Sequence, residues 1–263
     1  MTAQKSEVGG KVTRVARTQD PDGAQSALEV IVEEPVAIVF NGTTAAVMMA
    51  TPSDVRDLAS GFALSEGHIG ALSDIESYEE VRHAKGVEAR FWLTEARAEA
   101  VAARRRAMAG PVGCGLCGIE SLEEVRRPLP KVTARSVLAP RDILSAMAAL
   151  RDWQPLKSAT RSTHAAGFYQ PDTGILAARE DVGRHNALDK LIGHLAQTGV
   201  DASEGAVVMT SRISLELVQK CAMLGAPLLI APSGPTSLAI DVAQDCGIAL
   251  IGFCREGSFQ RFS

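Results

Sequence analysis

Residues 206–254 run AVVMTSRISLELVQKCAMLGAPLLIAPSGPTSLAIDVAQDCGIALIGFC. Short apolar blocks at 206–209, 227–230 and 248–252 alternate with two stretches whose apolar residues recur at helical spacing. These are Leu217, Val218, Cys221 and Ala222, then Ala239, Val242, Ala243 and Cys246. Gly225 and Gly247 stand just past them, where a helix end needs a left-handed residue. The β-α-β-α-β series predicts an α/β fold with a parallel sheet covered by helices. Cys221 and Cys246 read as small core residues.

Ligands of parallel sheets lie beyond the carboxyl ends of the strands. There the three late strands carry Thr210-Ser211-Arg212, Ser233-Gly234 and Cys254-Arg255. These loops offer hydroxyls, amides and cations, and two of them open helices whose amino ends attract anions. A phosphate-bearing ligand fits, although ordinary capping explains the same residues. No GxxxxGK[ST] or GxGxxG occurs, so an NTPase or dinucleotide fingerprint is unsupported.

Upstream, β-type stretches at 164–169 and 174–178 lead to a helix expected from about residue 181. Its opening, REDVGRHNALDK at 179–190, is dense in polar groups. Ala187, Leu188, Leu191, Ile192 and Leu195 form one apolar arc, and Arg184 falls inside that arc in the first turn. A guanidinium there is expected to reach a neighbouring element or a ligand anion. Asp181, His185 and Asp189, four apart, are expected to stack along the border of the arc. The structural alternative makes Asp181 a helix cap within a satisfied network.

The first half has β patterning from residue 12 to 50, with blocks at 28–32, 36–40 and 45–50 and an Asn41-Gly42 hairpin signal, which together predict a small meander. Thr51-Pro52 is expected to cap a helix running through Leu58 and Phe62 to Gly67. Strands near 75–81 and 87–93 follow, then helices at 96–108 and 140–153. The expected organisation is a flexible terminus (1–10), a β-rich and helical N-terminal subdomain (11–110), a mobile loop with a short helix (111–135) and an α/β core (136–263).

That loop holds Gly113-Cys114-Gly115-Leu116-Cys117-Gly118. Thiols near helix amides or cations ionise more readily, and residues 90–109 place five arginines, including Arg104-Arg105-Arg106, against two glutamates. Those arginines favour a thiolate, bind phosphate, or form a solvated helix face. The pair itself fits a mobile thiol carrying a group between sites, a thioredoxin-type dithiol, half of a structural zinc site, or an inert loop. A zinc site lacks a second CxxC, and a thioredoxin-type pair lacks a strand just before it.

The 263 residues are 46% hydrophobic and 22% charged, which excludes disordered, collagen-like and disulfide-framework classes. A formal charge of −4 argues against a general nucleic-acid or membrane-surface binder. No apolar run approaches the ~20 residues of a membrane helix, and no export signal is evident, so the expected location is cytoplasmic. Five cysteines, an odd set, point to thiol chemistry or burial rather than structural disulfides.

The chain resembles the formate dehydrogenase accessory sulfurtransferase family, FdhD. The resemblance rests on CGLCG at 114–118, EDVGRHNALDK at 180–190, GFALSEG at 61–67, Ser211-Arg212-Ile213-Ser214 and Phe253-Cys254-Arg255. It implies a three-layer cytidine-deaminase-like α/β core and a homodimer. It also implies a sulfurtransferase that takes persulfide sulfur from a cysteine desulfurase and delivers it to the molybdenum bis(molybdopterin guanine dinucleotide) cofactor for the catalytic subunit of formate dehydrogenase. Cys114 would hold the persulfide with Cys117 assisting. Phe253, Cys254, Arg255, Glu256, Gly257 and Ser258 would help bind the cofactor. Ser211, Arg212, Ser233 and Arg184 are the further expected contacts to its guanine nucleotide and diphosphate. No tightly bound metal of the protein's own is expected. His164-Ala165-Ala166 lacks the Glu of the His-x-Glu zinc deaminase signature, so the resemblance carries no deaminase chemistry. The alternative is a cofactor-binding chaperone that handles no sulfur.

Overall fold

The computed structural model describes residues 12–108, 128–135 and 138–263, with no side chains for 104–108. The expectations for Cys114, Cys117 and the short helix beside them lie outside the described residues.

The N-terminal part is built on a four-stranded sheet ordered β4 (Thr43–Ala50), β3 (Glu34–Phe40), β6 (Gly86–Leu93), β5 (Ile75–His83). Asn41 and Gly42 turn β3 into β4 with φ of 47° and 77°, the left-handed pair that a two-residue hairpin requires. The expected meander is corrected. β2 (Gln25–Ile31) pairs with β1 (Thr13–Gln19) in a separate ribbon, because the Asp20 carboxylate accepts the Asp22 and Ala24 amides and folds β2 back onto β1.

Helix α1 (Val55–Ser65) packs Leu58, Ala59 and Ala63 against Val36, Ile38, Ala89 and Phe91 of this sheet. Its expected cap at Thr51-Pro52 is also corrected: the helix begins after Asp54, which has φ 50° and no side-chain cap. Thr51 is held elsewhere. Its amide donates to Asp181 Oδ2 (3.0 Å), its hydroxyl accepts from the Val182 amide (3.2 Å), and its carbonyl accepts from Lys190 Nζ (2.9 Å). Helix α2 (Glu95–Met108) follows β6. Two of the five arginines counted near it have structural partners: Arg90 pairs with Glu88 at 2.6 Å, and Arg97 donates to the Gly67 and His68 carbonyls beyond α1.

The C-terminal part is a six-stranded sheet ordered β12 (Ser258–Arg261), β11 (Ala249–Arg255), β10 (Leu228–Ile230), β9 (Ala206–Met209), β7 (His164–Gln170), β8 (Gly174–Asp181). β9, β10 and β11 are parallel as expected, but the sheet as a whole is mixed. β7 and β8, and β11 and β12, are each joined by two or three residues, which reach only an antiparallel neighbour. Successive residues face opposite sides: Val207 and Met209 meet helices α5 (Arg184–Thr198), α6 (Leu215–Leu224) and α7 (Ser237–Cys246), while Ala206 and Val208 meet α3 (Pro140–Ala149). Gly225 and Gly247 end α6 and α7 with φ of 81° and 77°. A short helix, α4 (Pro155–Thr160), follows α3.

The two parts meet where α1 crosses α5. A Cβ on Gly61 would lie 1.7 Å from the Asp189 carbonyl oxygen, and one on Gly193 would lie 2.0 Å from that of Asp57. Only hydrogen at both positions lets the backbones approach so closely. Gly61→Ala is expected to lower stability by about 3 kcal/mol or to unfold the chain, since the obstructing atoms are backbone. Urea unfolding of the variant against the wild type measures this.

Candidate functional site

The carboxyl ends of β9, β10 and β11 open into a crevice of about 1080 Å³. Thr210, Pro232 and Cys254-Arg255-Glu256-Gly257 form its floor and one rim, while α3, α4 and the turn between them form the other wall. Arg151 and Lys157 come from that wall, and His164 from the start of β7. The wall is fixed from below. The buried Glu180 carboxylate accepts the Leu156 and Lys157 amides at 2.8 and 2.7 Å and the Thr163 hydroxyl at 2.9 Å. It thereby takes up donors that the first turn of α4 leaves unpaired.

Among the described residues, three cations, Arg151, Lys157 and Arg255, therefore face one cleft with a single carboxylate, Glu256, which lies 3.6 Å from Arg151. Burial lowers the His164 pKa, helped by Lys157 and Arg184 and opposed by Asp181. The ring is neutral at neutral pH and lies 3.5 Å from the Thr210 hydroxyl. A cleft of this size with cations on both rims suits an anionic ligand of nucleotide dimensions.

Of the residues expected here, Cys254, Arg255, Glu256 and Gly257 line the crevice. Phe253 is about half exposed, with φ 51°, and its ring covers Gly234 and tilts against Phe262 at 6.0 Å. Ser258 is exposed at the start of β12. Ser211 is buried with its hydroxyl on the Arg212 carbonyl, Arg212 is exposed, and the Ser233 carbonyl accepts the Phe253 amide. Arg184 does not line the crevice, although its charge reaches His164. Sequence reasoning missed Arg151 and Lys157. They flank Gln154-Pro155, and nothing in that spacing distinguishes them from solvated surface cations.

The 179–190 run is largely a structural clasp. Its helix starts at Arg184, so the expected stack of Asp181, His185 and Asp189 is corrected: Asp181 precedes the helix as the last residue of β8. Asp181 pairs with Lys190 at 2.7 Å, both fully buried, and also accepts from Gly183, Asn186 and Thr51. Asp189 accepts from Ser65 at 2.7 Å and from Lys220 at 2.9 Å, and Lys220 also reaches Glu66 at 2.8 Å. Burial alone would lower the Lys220 pKa, but Asp189 and Glu66 outweigh it and raise the value. Arg179 joins Asp57 at 2.8 Å and His194 at 2.6 Å.

The described cysteines are buried. Burial pushes the Cys221 thiol up to about 12 and also raises Cys246 and Cys254. Cys254 Sγ lies 3.8 Å from the Ile143 carbonyl, so this residue contributes a wall rather than a nucleophile.

The FdhD/NarQ family model matches residues 31–263. The chain belongs to that family. Curated relatives agree. The sulfur carrier protein FdhD of Agrobacterium fabrum is 49% identical, with 95% of this chain and 93% of that protein covered. That of Chromobacterium violaceum is 44% identical, with 98% and 97% covered. A crystal structure from Desulfotalea psychrophila, described as a proposed formate dehydrogenase accessory protein, shares the fold. It has a TM-score of 0.71 at 22% identity and 96% coverage of both chains. No described helix of this family member is long and apolar enough to cross a membrane.

Lys190→Met is expected to cost about 3–5 kcal/mol, because it strands the buried Asp181 carboxylate. Chemical denaturation reads the loss. His185, lowered to about 4 from an ordinary 6.5 by burial and Arg184, takes up its proton more readily unfolded than folded. Its contribution is present above pH 6.5 and is lost as the pH falls towards 4. His185→Gln is therefore expected to flatten the stability change over that window, measured by urea unfolding across the range.

Proposed function

We propose that the chain is a sulfur carrier that serves formate dehydrogenase, holding sulfur as a persulfide on Cys114. The observation that carries this reading is family membership across 31–263 together with relatives named as sulfur carriers at up to 49% identity. The Cys114 thiolate attacks the terminal sulfur of a persulfide on a cysteine desulfurase. The donor sulfur-sulfur bond breaks, the donor leaves as a thiolate, and Cys114 gains one sulfur. Attack by Cys117 on the Cys114 sulfur then forms a disulfide and releases hydrosulfide, so oxidation of two thiols balances reduction of the carried sulfur.

The acceptor in this reading is the molybdenum bis(molybdopterin guanine dinucleotide) cofactor, bound as substrate. Its diphosphates suit Arg151, Lys157 and Arg255 in the crevice, and Phe253 offers an exposed ring at the rim. Gly257 supplies a rim without a side chain, and Ser258, Arg212, Ser211 and Ser233 lie on neighbouring strand-end loops. The sheet with helices on both faces is consistent with a cytidine-deaminase-like core. A homodimer in the cytoplasm completes the proposal.

Incubation with a cysteine desulfurase and cysteine is expected to add one sulfur mass to the wild type and none to Cys114→Ala. An adduct that survives the substitution removes Cys114 from the proposal. Guanosine diphosphate is expected to bind, with affinity falling about tenfold or more in Lys157→Ala, as loss of a charge-assisted hydrogen bond implies. Titration calorimetry measures it.

A further inference from the structure

Two buried side-chain nitrogens, Arg184 Nε and His185 Nε2, have no hydrogen-bond partner. They belong to consecutive residues at the start of α5, and His185 Nε2 faces Glu216 Oε2 on α6 at 3.7 Å, too far for a hydrogen bond. The Ser214 hydroxyl stands beside Glu216 and helps hold that carboxyl down, without a well-formed hydrogen bond of its own. Burial alone would raise Glu216, but Ser214, its own amide, His185 and Arg184 together lower it. His185 is also faced by Lys220 of α6 and Glu66 beyond α1, and it remains neutral near pH 7. The Glu216 carboxylate favours the tautomer with hydrogen on Nε2, so Arg184 Nε and His185 Nε2 are donors on consecutive residues and neither has a hydrogen-bond acceptor.

A buried donor without an acceptor is costly and calls for a missing partner. The missing group accepts from a guanidinium, so an anion is favoured. It is small, because both nitrogens are buried, and it carries low charge, because Glu216 repels a phosphate dianion. His164 of the crevice wall pairs across the β7–β8 ladder with Asp181, three residues before Arg184, which puts the start of α5 next to that wall. The crevice contacts described above do not use them.

We propose that Arg184 and His185 bind a monovalent sulfur anion, hydrosulfide or a persulfide terminus, beside the crevice during transfer. This inference rests on the sulfur-carrier reading and adds two residues that touch the travelling sulfur.

The test uses the full chain, with sodium hydrosulfide as probe and sodium chloride at equal ionic strength as reference. Hydrosulfide is expected to raise the unfolding temperature of the wild type and not that of Arg184→Gln. In the same variant, sulfur loading from a desulfurase stays at the wild-type level, while formate dehydrogenase activity in cells lacking the native gene falls at least tenfold. Arg184→Lys, which keeps the charge and lacks the Nε donor, is expected to fold like wild type and deliver poorly. Wild-type delivery by Arg184→Gln, or by both Arg184→Lys and His185→Gln, overturns the inference. Equal stabilisation by hydrosulfide in wild type and Arg184→Gln marks an adventitious ion only, and also overturns it. A wild type that takes up no sulfur instead overturns the sulfur-carrier reading, a different result from any of these.

Discussion

The close crossing of α1 over α5 is the contact on which the remaining geometry depends. Gly61 and Gly193 remove the side chains that would hold the two backbones apart. Once the backbones touch, polar groups beside them lose water and need partners. Asp181 with Lys190, and Asp189 with Lys220 and Ser65, provide them within the buried layer. Removing one member leaves the other charged and unsolvated, so the clasp is stiff in a way that an apolar contact of equal area is not.

Stiffness there has a consequence at the sheet ends. Asp181 closes β8, and the adjacent Glu180 holds the start of α4, so the clasp and the crevice wall share two consecutive residues. Arg151 and Lys157 are presented by short helical segments anchored through this carboxylate and through the packing of Ile143, Ala146 and Leu150 on the sheet. The opposite rim belongs to β11 and its turn to β12, where Phe253 takes a left-handed conformation that breaks the regular pairing between Gly252 and Arg255. A bulge of this kind re-aims side chains at a strand end.

Thiol chemistry is divided in the same physical terms. Burial holds Cys221, Cys246 and Cys254 in the thiol form, which protects them from the exchange reactions that need a thiolate. In the proposed function the nucleophilic work falls to Cys114 and Cys117, the pair that lies among glycines in the sequence.

Local patterning determined most of the elements: the β-α-β-α-β series, the Asn41-Gly42 hairpin and the glycine stops at 225 and 247 depend on periodicity and backbone conformation, which neighbouring residues specify. The crevice at the late strand ends was legible for the same reason, because parallel strands order their own carboxyl ends. Roles within the 179–190 run were not legible. Whether Asp181 caps a helix, binds a ligand or pairs with a lysine depends on what chain packs over it, and that chain is Thr51, some 130 positions away. Thr51, a plausible helix cap by its sequence, is drawn into the same contact. Arg151 and Lys157 likewise became crevice cations only through the packing of α3 and α4. Short-range spacing records which face a residue occupies, whereas tertiary packing decides what that face meets.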